Sequence, residues 1–342
     1  MPIALVADPD LPTELAVRVA RDLPGRLRER LGQAPQEDGH RLAHLHRGRG
    51  RDGGVIAEVK SDDGSVGAGC LGVGMRYGID VAILGELAEP ARLVTLAREA
   101  EAAGWDAVLV WDHLAFAWGT PSADPWVALA AAAQATSRIR LGTAVTAVAR
   151  HRPEILAQTV ATLDRLSGGR VILGAGLGGV REEFTAFGSA RPGGAVLDEA
   201  LDVMTSLWSG DEVHHRGAHY TVDGVRLAPL PFQRPRVPVW VGGTAAGALR
   251  RAAHWDGWIV AGDDQEGRMT LSPDSLAAQV SELRRHRATA GDLDVAVIGV
   301  SEPGSPVRAY AEAGATWWLE HLHGYRGSVE RLVQRVKAGP PA

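Results

Sequence analysis

From Met75 onward, short β-branched and apolar runs alternate with segments whose apolar positions recur every three or four residues, the pattern of strands and helices taken in turn. Eight runs read as strands: Tyr77 to Leu84, Ala107 to Trp111, Ile139 to Val145, Val171 to Ala175, Pro238 to Val241, Gly257 to Val260, Leu293 to Val300, and Thr316 to Leu319. Helices are expected between them. Arg92 to Ala103 sets Leu93, Leu96, Ala97 and Ala100 on one face and meets Gly104 as a stop signal. Ile155 to Leu166 sets Ile155, Thr159, Leu163 and Leu166 along one side before Gly168 and Gly169. Between the fourth and fifth strands, Val213 to Leu227 alternates apolar and polar residues, with turns expected at Gly217 and at Asp223-Gly224. That hairpin is expected to cover one end of the molecule.

Eight strand and helix repeats in the 268 residues from Met75 on match the roughly 250 of a closed (β/α)8 barrel. The fold class expected is therefore α/β, a TIM barrel with an inserted β-hairpin region between strands 4 and 5. A doubly wound open sheet would carry G-x-G-x-x-G after its first strand. Here that turn reads Gly85-Glu86-Leu87-Ala88-Glu89-Pro90.

Residues 1–74 read differently. Leu15, Val19, Leu23, Leu27 and Leu31 stand at four-residue steps, but Pro24 and Gly25 interrupt them. His40 to Gly54 is rich in Arg, Gly and His, and Ser61 to Gly74 holds five glycines and few large apolar residues. Such a composition resists packing. We read 1–74 as a partly disordered N-terminal extension, with Met75 a candidate native start, and 75–342 as the barrel domain. The run Arg47-Gly48-Arg49-Gly50-Arg51 lacks the interleaved aromatics on which bases stack, and is read as a solvated linker. His40, His44 and His46 have no carboxylate or thiol partner in register.

Composition narrows the partners. The chain has 342 residues, 45% apolar and 23% charged, with 36 basic against 41 acidic residues and a net charge of −5. No overall field exists to hold nucleic acid or an anionic membrane, so a small-molecule substrate is expected. The lone Cys70 makes neither an internal disulfide nor a zinc cluster, and no metal is expected. Asp8, Asp10, Glu14 and Asp22 break any leader-like apolar stretch. The longest nearly apolar run, Trp126 to Ala135, is about half the roughly 20 residues a bilayer needs. A cytoplasmic setting is the expectation.

In such a barrel the C-terminal strand ends carry the chemistry. Trp111-Asp112-His113 ends the second strand, and an imidazole titrating near neutrality suits proton transfer, so His113 and Asp112 are the catalytic candidates. The alternative is that Asp112 caps a turn and His113 packs against a neighbour. Small residues at Gly142-Thr143-Ala144-Val145 leave room for a flat ring or simply taper the strand. Leu173 to Gly179 contains G-x-G-x-G without an immediate helix, so it reads as a mobile loop beside a ligand, with Gly176 in it and Glu182 and Glu183 following. Val239 to Ala245 runs from strand into Gly242 and Gly243, then a helix expected near Thr244. It is either an anion site or a tight turn with Thr244 as N-cap. Trp111, Trp118, Trp126, Trp240, Trp317 and Trp318 either wall an aromatic pocket or pack the core, the latter for most. His214, His215 and His219 on the inserted hairpin are read as surface residues.

Several segments together resemble the bacterial luciferase-like flavin-dependent oxidoreductases: Met75 to Ile79, Ala103-Gly104-Trp105-Asp106-Ala107, Trp111-Asp112-His113, Asp124 to Leu129, Arg138 to Thr143, Ala161 to Arg170, Leu197 to Ala200, Leu207 to Gly210, and Pro238 to Gly243. The resemblance covers nearly everything after Met75 and nothing before it. It implies a barrel that binds FMN or the deazaflavin coenzyme F420 at the C-terminal strand ends. It also implies His113 beside the ring, a cis peptide within Thr143, Ala144 and Val145 behind it, and a phosphate loop at Gly242, Gly243, Thr244 and Ala245. Some deazaflavin relatives carry a carboxylate directly after the strand-four glycines. This chain reads Gly178-Gly179-Val180-Arg181 there, so a second acid has to come from Glu182 or Glu183.

The first reading of the activity is a monooxygenase using reduced FMN and oxygen on a small organic substrate, with a separate flavin reductase supplying the cofactor. The alternative is F420-dependent hydride transfer by a dehydrogenase or reductase. An alternative of another class is an inactive barrel serving as a binding protein. Trp118 and Glu183 are the substrate-pocket candidates, Leu114 to Ala123, Ser209 to Pro238 and Ala261 to Leu271 the loops expected to choose the substrate, and a homodimer the expected assembly.

Overall fold

A computed structural model describes residues 75–114, 119–264, 266–287, 291–301 and 307–341. The expected N-terminal extension and Trp118 lie outside the described residues.

The strands and helices follow in the order β1 (Arg76–Val81), α1 (Pro90–Ala102), β2 (Ala107–Val110), α2 (Pro125–Ala135), β3 (Arg140–Thr143), β4 (Thr146–Ala147), α3 (Pro153–Ser167), β5 (Val171–Gly176), α4 (Glu182–Thr185), α5 (Gly194–Trp208), β6 (Val213–Arg216), β7 (Thr221–Val225), β8 (Val239–Gly242), α6 (Ala246–Ala252), β9 (Gly257–Ala261), α7 (Pro273–His286), β10 (Asp294–Gly299), α8 (Val307–Glu312), β11 (Trp317–Leu322) and α9 (Val329–Lys337). The large sheet is parallel throughout. It runs β3-β2-β1-β11-β10-β9-β8-β5, and β3 pairs back onto β5 through Leu141↔Val171, which closes the ring. With β3 and β4 as one interrupted stave, this is the expected closed eight-stranded barrel.

Both faces of the staves are buried, which is why they read as near-continuous apolar runs rather than alternating ones. Inside lie Ala107, Leu109, Ile172, Trp240, Ile259, Ala296, Trp317 and Leu319. Outside, Val108, Val110, Leu173 and Val297 meet the helices. Trp240 and Trp317 fill the interior edge to face, centroids 5.3 Å apart. Small residues face them: a Cβ on Gly257 would meet Trp240 Cδ1 at 2.4 Å.

Helix α1 buries Leu93, Leu96, Ala97 and Ala100 as expected. Helix α3 does not present the expected face: Ile155 and Leu166 are exposed, and the buried stripe is Leu156, Val160, Leu163 and Ser167 with Ala157, Ala161 and Asp164. Buried Asp164 fixes that rotation by accepting from the Gln233 backbone and side-chain amides, both at 2.8 Å. Gly168, at φ 71°, takes the left-handed conformation that ends the helix.

The inserted hairpin forms, with β6 and β7 antiparallel. Gly217 lies in its turn, its N–H donating to Tyr220 O at 3.0 Å. Asp223-Gly224 is no turn but an irregularity within β7, where two residues oppose one because the register shifts at Val213/His214. The hairpin is tied to α5, whose Glu199 accepts from the His219 and Tyr220 amides at 2.9 and 2.8 Å. Thr244 is not an N-cap: α6 starts at Ala246, and Ala245 caps it without a side-chain bond. No helix among the described residues is long and apolar enough to cross a membrane.

Candidate functional site

The loop after β2 carries Asp112 and His113 to the C-terminal rim, and short helix α4 brings Glu183 to meet them. His113 Nδ1 lies 3.0 Å from Glu183 Oε1, and the Leu114 amide donates to the same oxygen at 3.1 Å. Arg150, from the turn after β4, pairs with Glu183 through one nitrogen and with Asp112 through the other. His151 Nε2 stands 3.3 Å from Asp112 Oδ2. The result is a continuous polar chain, His113–Glu183–Arg150–Asp112–His151, with both carboxylates buried. Burial works to raise the Asp112 pKa, but hydrogen bonding from His151 and the Arg150 charge outweigh it and hold the carboxyl below its ordinary value. Of the two carboxylates considered after strand four, Glu183 is buried in this site and Glu182 faces solvent.

The expected cofactor-side residues fall into two groups. Thr143 Oγ1 donates to Gly174 O at 3.0 Å and receives a hydrogen bond from Thr146 at 3.1 Å. The Ala144–Val145 peptide is cis. Val145 then wedges between two strand ends: a Cβ on Gly176 would meet Val145 Cγ2 at 2.4 Å, and one on Gly242 would meet Val145 Cγ1 at 2.9 Å. Thr143, Ala144, Val145, Gly176 and Gly242 therefore belong to one assembly. Gly243, Thr244 and Ala245 lie exposed beyond it. The Gly243 N–H donates to Ile259 O at 3.3 Å, which removes one donor from the expected anion loop.

A second polar cluster went unnoticed in the sequence. Asp80, wholly buried inside β1, accepts from Trp111 Nε1 at 2.9 Å. His321 Nε2 faces it at 3.9 Å, and His321 Nδ1 lies 2.8 Å from Asp263 Oδ2. Trp111 sits between the clusters, its ring 5.6 Å from that of His113 and 5.1 Å from that of His321. Burial pushes Asp80 up to about 7, against the charge of His321 and the Trp111 hydrogen bond. His323 is pushed down to about 4, by burial first and then by His321. For His321 burial acts downward, but the bond to Asp263 and the charges of Asp80 and Asp263 raise it overall. An aspartate within the apolar run Ile79 to Leu84 and the spacing His321-Leu322-His323 at a strand end were the available signals.

A cavity of about 300 Å³ opens here, lined among others by Ala82, Trp111, Thr120, His321, His323 and Tyr325. Its lining includes neither His113 nor the loop Gly242 to Ala245. Trp111 is the element common to the cavity and the His113 site.

A family model described as luciferase-like monooxygenase matches residues 71–331. An F420-dependent glucose-6-phosphate dehydrogenase from Beutenbergia cavernae is 34% identical over 221 residues, 61% of this chain and 63% of that protein. An F420-dependent hydroxymycolic acid dehydrogenase from Mycobacterium tuberculosis is 32% identical over 238 residues, 64% of this chain and 66% of that protein. The chain thus spans just under two thirds of each. Among solved structures, the oxygenating constituent of 3,6-diketocamphane monooxygenase from Pseudomonas putida, in complex with FMN, shares the fold at TM-score 0.63 and 16% identity, over 78% of this chain and 96% of that one.

Proposed function

The chain belongs to the luciferase-like monooxygenase family, and on that footing we propose that it is an F420-dependent oxidoreductase moving hydride between the deazaflavin and a small organic alcohol or carbonyl compound. The observation that carries this is the His113–Glu183 pair. Oxidising an alcohol requires a base for the hydroxyl proton, and an imidazole whose Nδ1 is held by a buried carboxylate has its ring fixed in orientation with Nε2 left to take that proton. The relatives above 30% identity named for F420 support the same reading over FMN oxygenation.

Bound at the strand ends, F420 supplies a two-electron hydride acceptor or donor. His113 takes the substrate hydroxyl proton as the C–H hydride leaves, and returns it in the reverse direction. Glu183 fixes the imidazole tautomer and stabilises the imidazolium. Arg150 pairs with Glu183 and Asp112 together in a buried setting, and Asp112 holds Arg150 and His151 in place. Val145, wedged between Gly176 and Gly242, would brace the wall behind the cofactor ring. A cofactor phosphate would be held by the exposed Thr244 hydroxyl and the Thr244 and Ala245 amides, beyond the Gly243 N–H already spent on Ile259.

Titrating the purified chain separately with F420 and with FMN, each followed by fluorescence, tests the reading. F420 is expected to bind, and its absorbance to fall when a panel of secondary alcohols and sugars is added. Binding of FMN alone would move the function to reduced-flavin oxygenation with a partner reductase. Binding of neither would leave a non-catalytic barrel.

A further inference from the structure

Beside Trp111, the barrel gathers a donor set that the hydride-transfer reading leaves unused. His321 and His323 stand two residues apart at the end of β11, the spacing that puts both side chains on one face of a strand. Asp263 follows the end of β9. One ligand atom from each of Asp263, His321 and His323 lies within 4.8 Å of the other two. The two imidazole centroids are 4.5 Å apart. His321 and His323 are only 6% and 5% exposed, and their Nε2 atoms are buried without a hydrogen-bond partner, as is Asp80 Oδ1. A buried polar atom without a partner is costly, and three such atoms converging is a pattern that demands an occupant or a shared proton.

We propose that Asp263, His321 and His323 bind one divalent transition-metal ion of the zinc type. Two imidazoles and a carboxylate form a borderline nitrogen and oxygen set that suits such an ion better than calcium or magnesium. Metal–ligand bonds of about 2.1 Å in a tetrahedron set ligand atoms about 3.4 Å apart. The Asp263–His321 pair, at 2.8 Å, has to open slightly to admit the ion, and His323, whose ligand atom lies within 4.8 Å of theirs, completes the set. His321 ligates through Nδ1, and its far nitrogen faces Asp80 at 3.9 Å. Asp80 is in turn held by Trp111 Nε1. A carboxylate on the outer nitrogen of a ligating histidine is the arrangement that orients such ligands. The cavity beside His321 and His323 gives the ion an open coordination position for water or for an oxygen of a bound molecule. The proposal does not depend on the F420 reading, because metal uptake is read without coenzyme or substrate.

The test uses the full chain, stripped with a chelator and titrated with zinc by calorimetry and with cobalt(II) by visible absorption. One tight equivalent per chain is expected, with the intense absorption of a low-symmetry cobalt site. His323→Ala and Asp263→Asn should each weaken it by at least 100-fold, and Asp80→Asn by about 10–100-fold. His214→Ala, on the exposed hairpin, should leave it unchanged, which separates the site from stray surface histidines. If His323→Ala does not fold, His323→Gln replaces it with a side chain of comparable polarity. A wild-type chain without a tight equivalent overturns the proposal and leaves a metal-free Asp–His proton relay. Unaltered zinc affinity in a folded His323 variant overturns it equally.

Discussion

His113 Nδ1 and Glu183 Oε1 lie 3.0 Å apart although the residues are 70 positions apart in sequence. Each follows a strand at the C-terminal rim, His113 in the loop after β2 and Glu183 on the short helix α4 after β5, and Arg150 pairs with the other oxygen of that carboxylate. In the F420 reading this pair moves the substrate proton. His113→Ala is expected to lower kcat by about 100-fold or more, with an unchanged circular dichroism spectrum. Glu183→Gln should retain more activity but shift the pH profile, since the imidazolium loses its countercharge. Steady-state assays of F420 reduction check both, and an unchanged rate for His113→Ala would remove it from the mechanism.

Arg150 neutralises two buried carboxylates, Asp112 and Glu183, whose side chains are 3% and 1% exposed. Arg150→Met keeps much of the bulk and strands both charges. The expected cost is about 3–5 kcal/mol of stability, read from urea denaturation. Arg150→Met combined with Asp112→Asn and Glu183→Gln should recover part of it, because the stranded charges go with the partner.

Gly176 and Gly242 leave the space that Val145 occupies. Gly176→Ala is expected to destabilise the barrel by about 1–3 kcal/mol through overpacking. Val145→Ala in the same chain should relieve it, giving a double-mutant coupling that thermal unfolding can measure. Additive effects would mean that the strand ends do not press on Val145.

Glu101 supplies a stability term with a defined pH window. Its carboxylate, on α1, accepts from the amides of Ser137, Arg138 and Ile139, the last two at 2.7 and 2.9 Å. Burial acts to raise its pKa, but these bonds prevail and bring it down to about 2. A depressed folded pKa means that the stabilisation is complete above the unfolded value near 4.5 and is lost as pH falls towards 2. Because the group is largely solvated, its worth is discounted to about 1 kcal/mol. Denaturation should show Glu101→Gln weaker than wild type at pH 7, with the gap shrinking between pH 4.5 and 2.

The fold was legible because its signals are local. Strand runs, the α1 face and the helix-ending Gly168 each depend on residues within one or two turns of one another. The α3 face escaped because Ile155 and Leu166 are as apolar as the residues that point inward, and the choice is made by Asp164 meeting Gln233 from 69 positions away. The Asp223-Gly224 pair has turn composition, yet in pairing across to β6 it becomes a bulge.

The sequence by itself determined that the chain from Met75 closes into a strand-and-helix barrel, and which strand ends are rich in His, Asp and Gly, since periodicity and composition are properties of the chain alone. Only the tertiary structure decided that Glu183 rather than Glu182 reaches His113, that Val145 wedges between Gly176 and Gly242, and that Asp80, Asp263, His321 and His323 converge beside Trp111. Ring closure sets those meetings: it brings β11 against β1 and β5 against β3, pairings between segments far apart along the chain that no local pattern encodes.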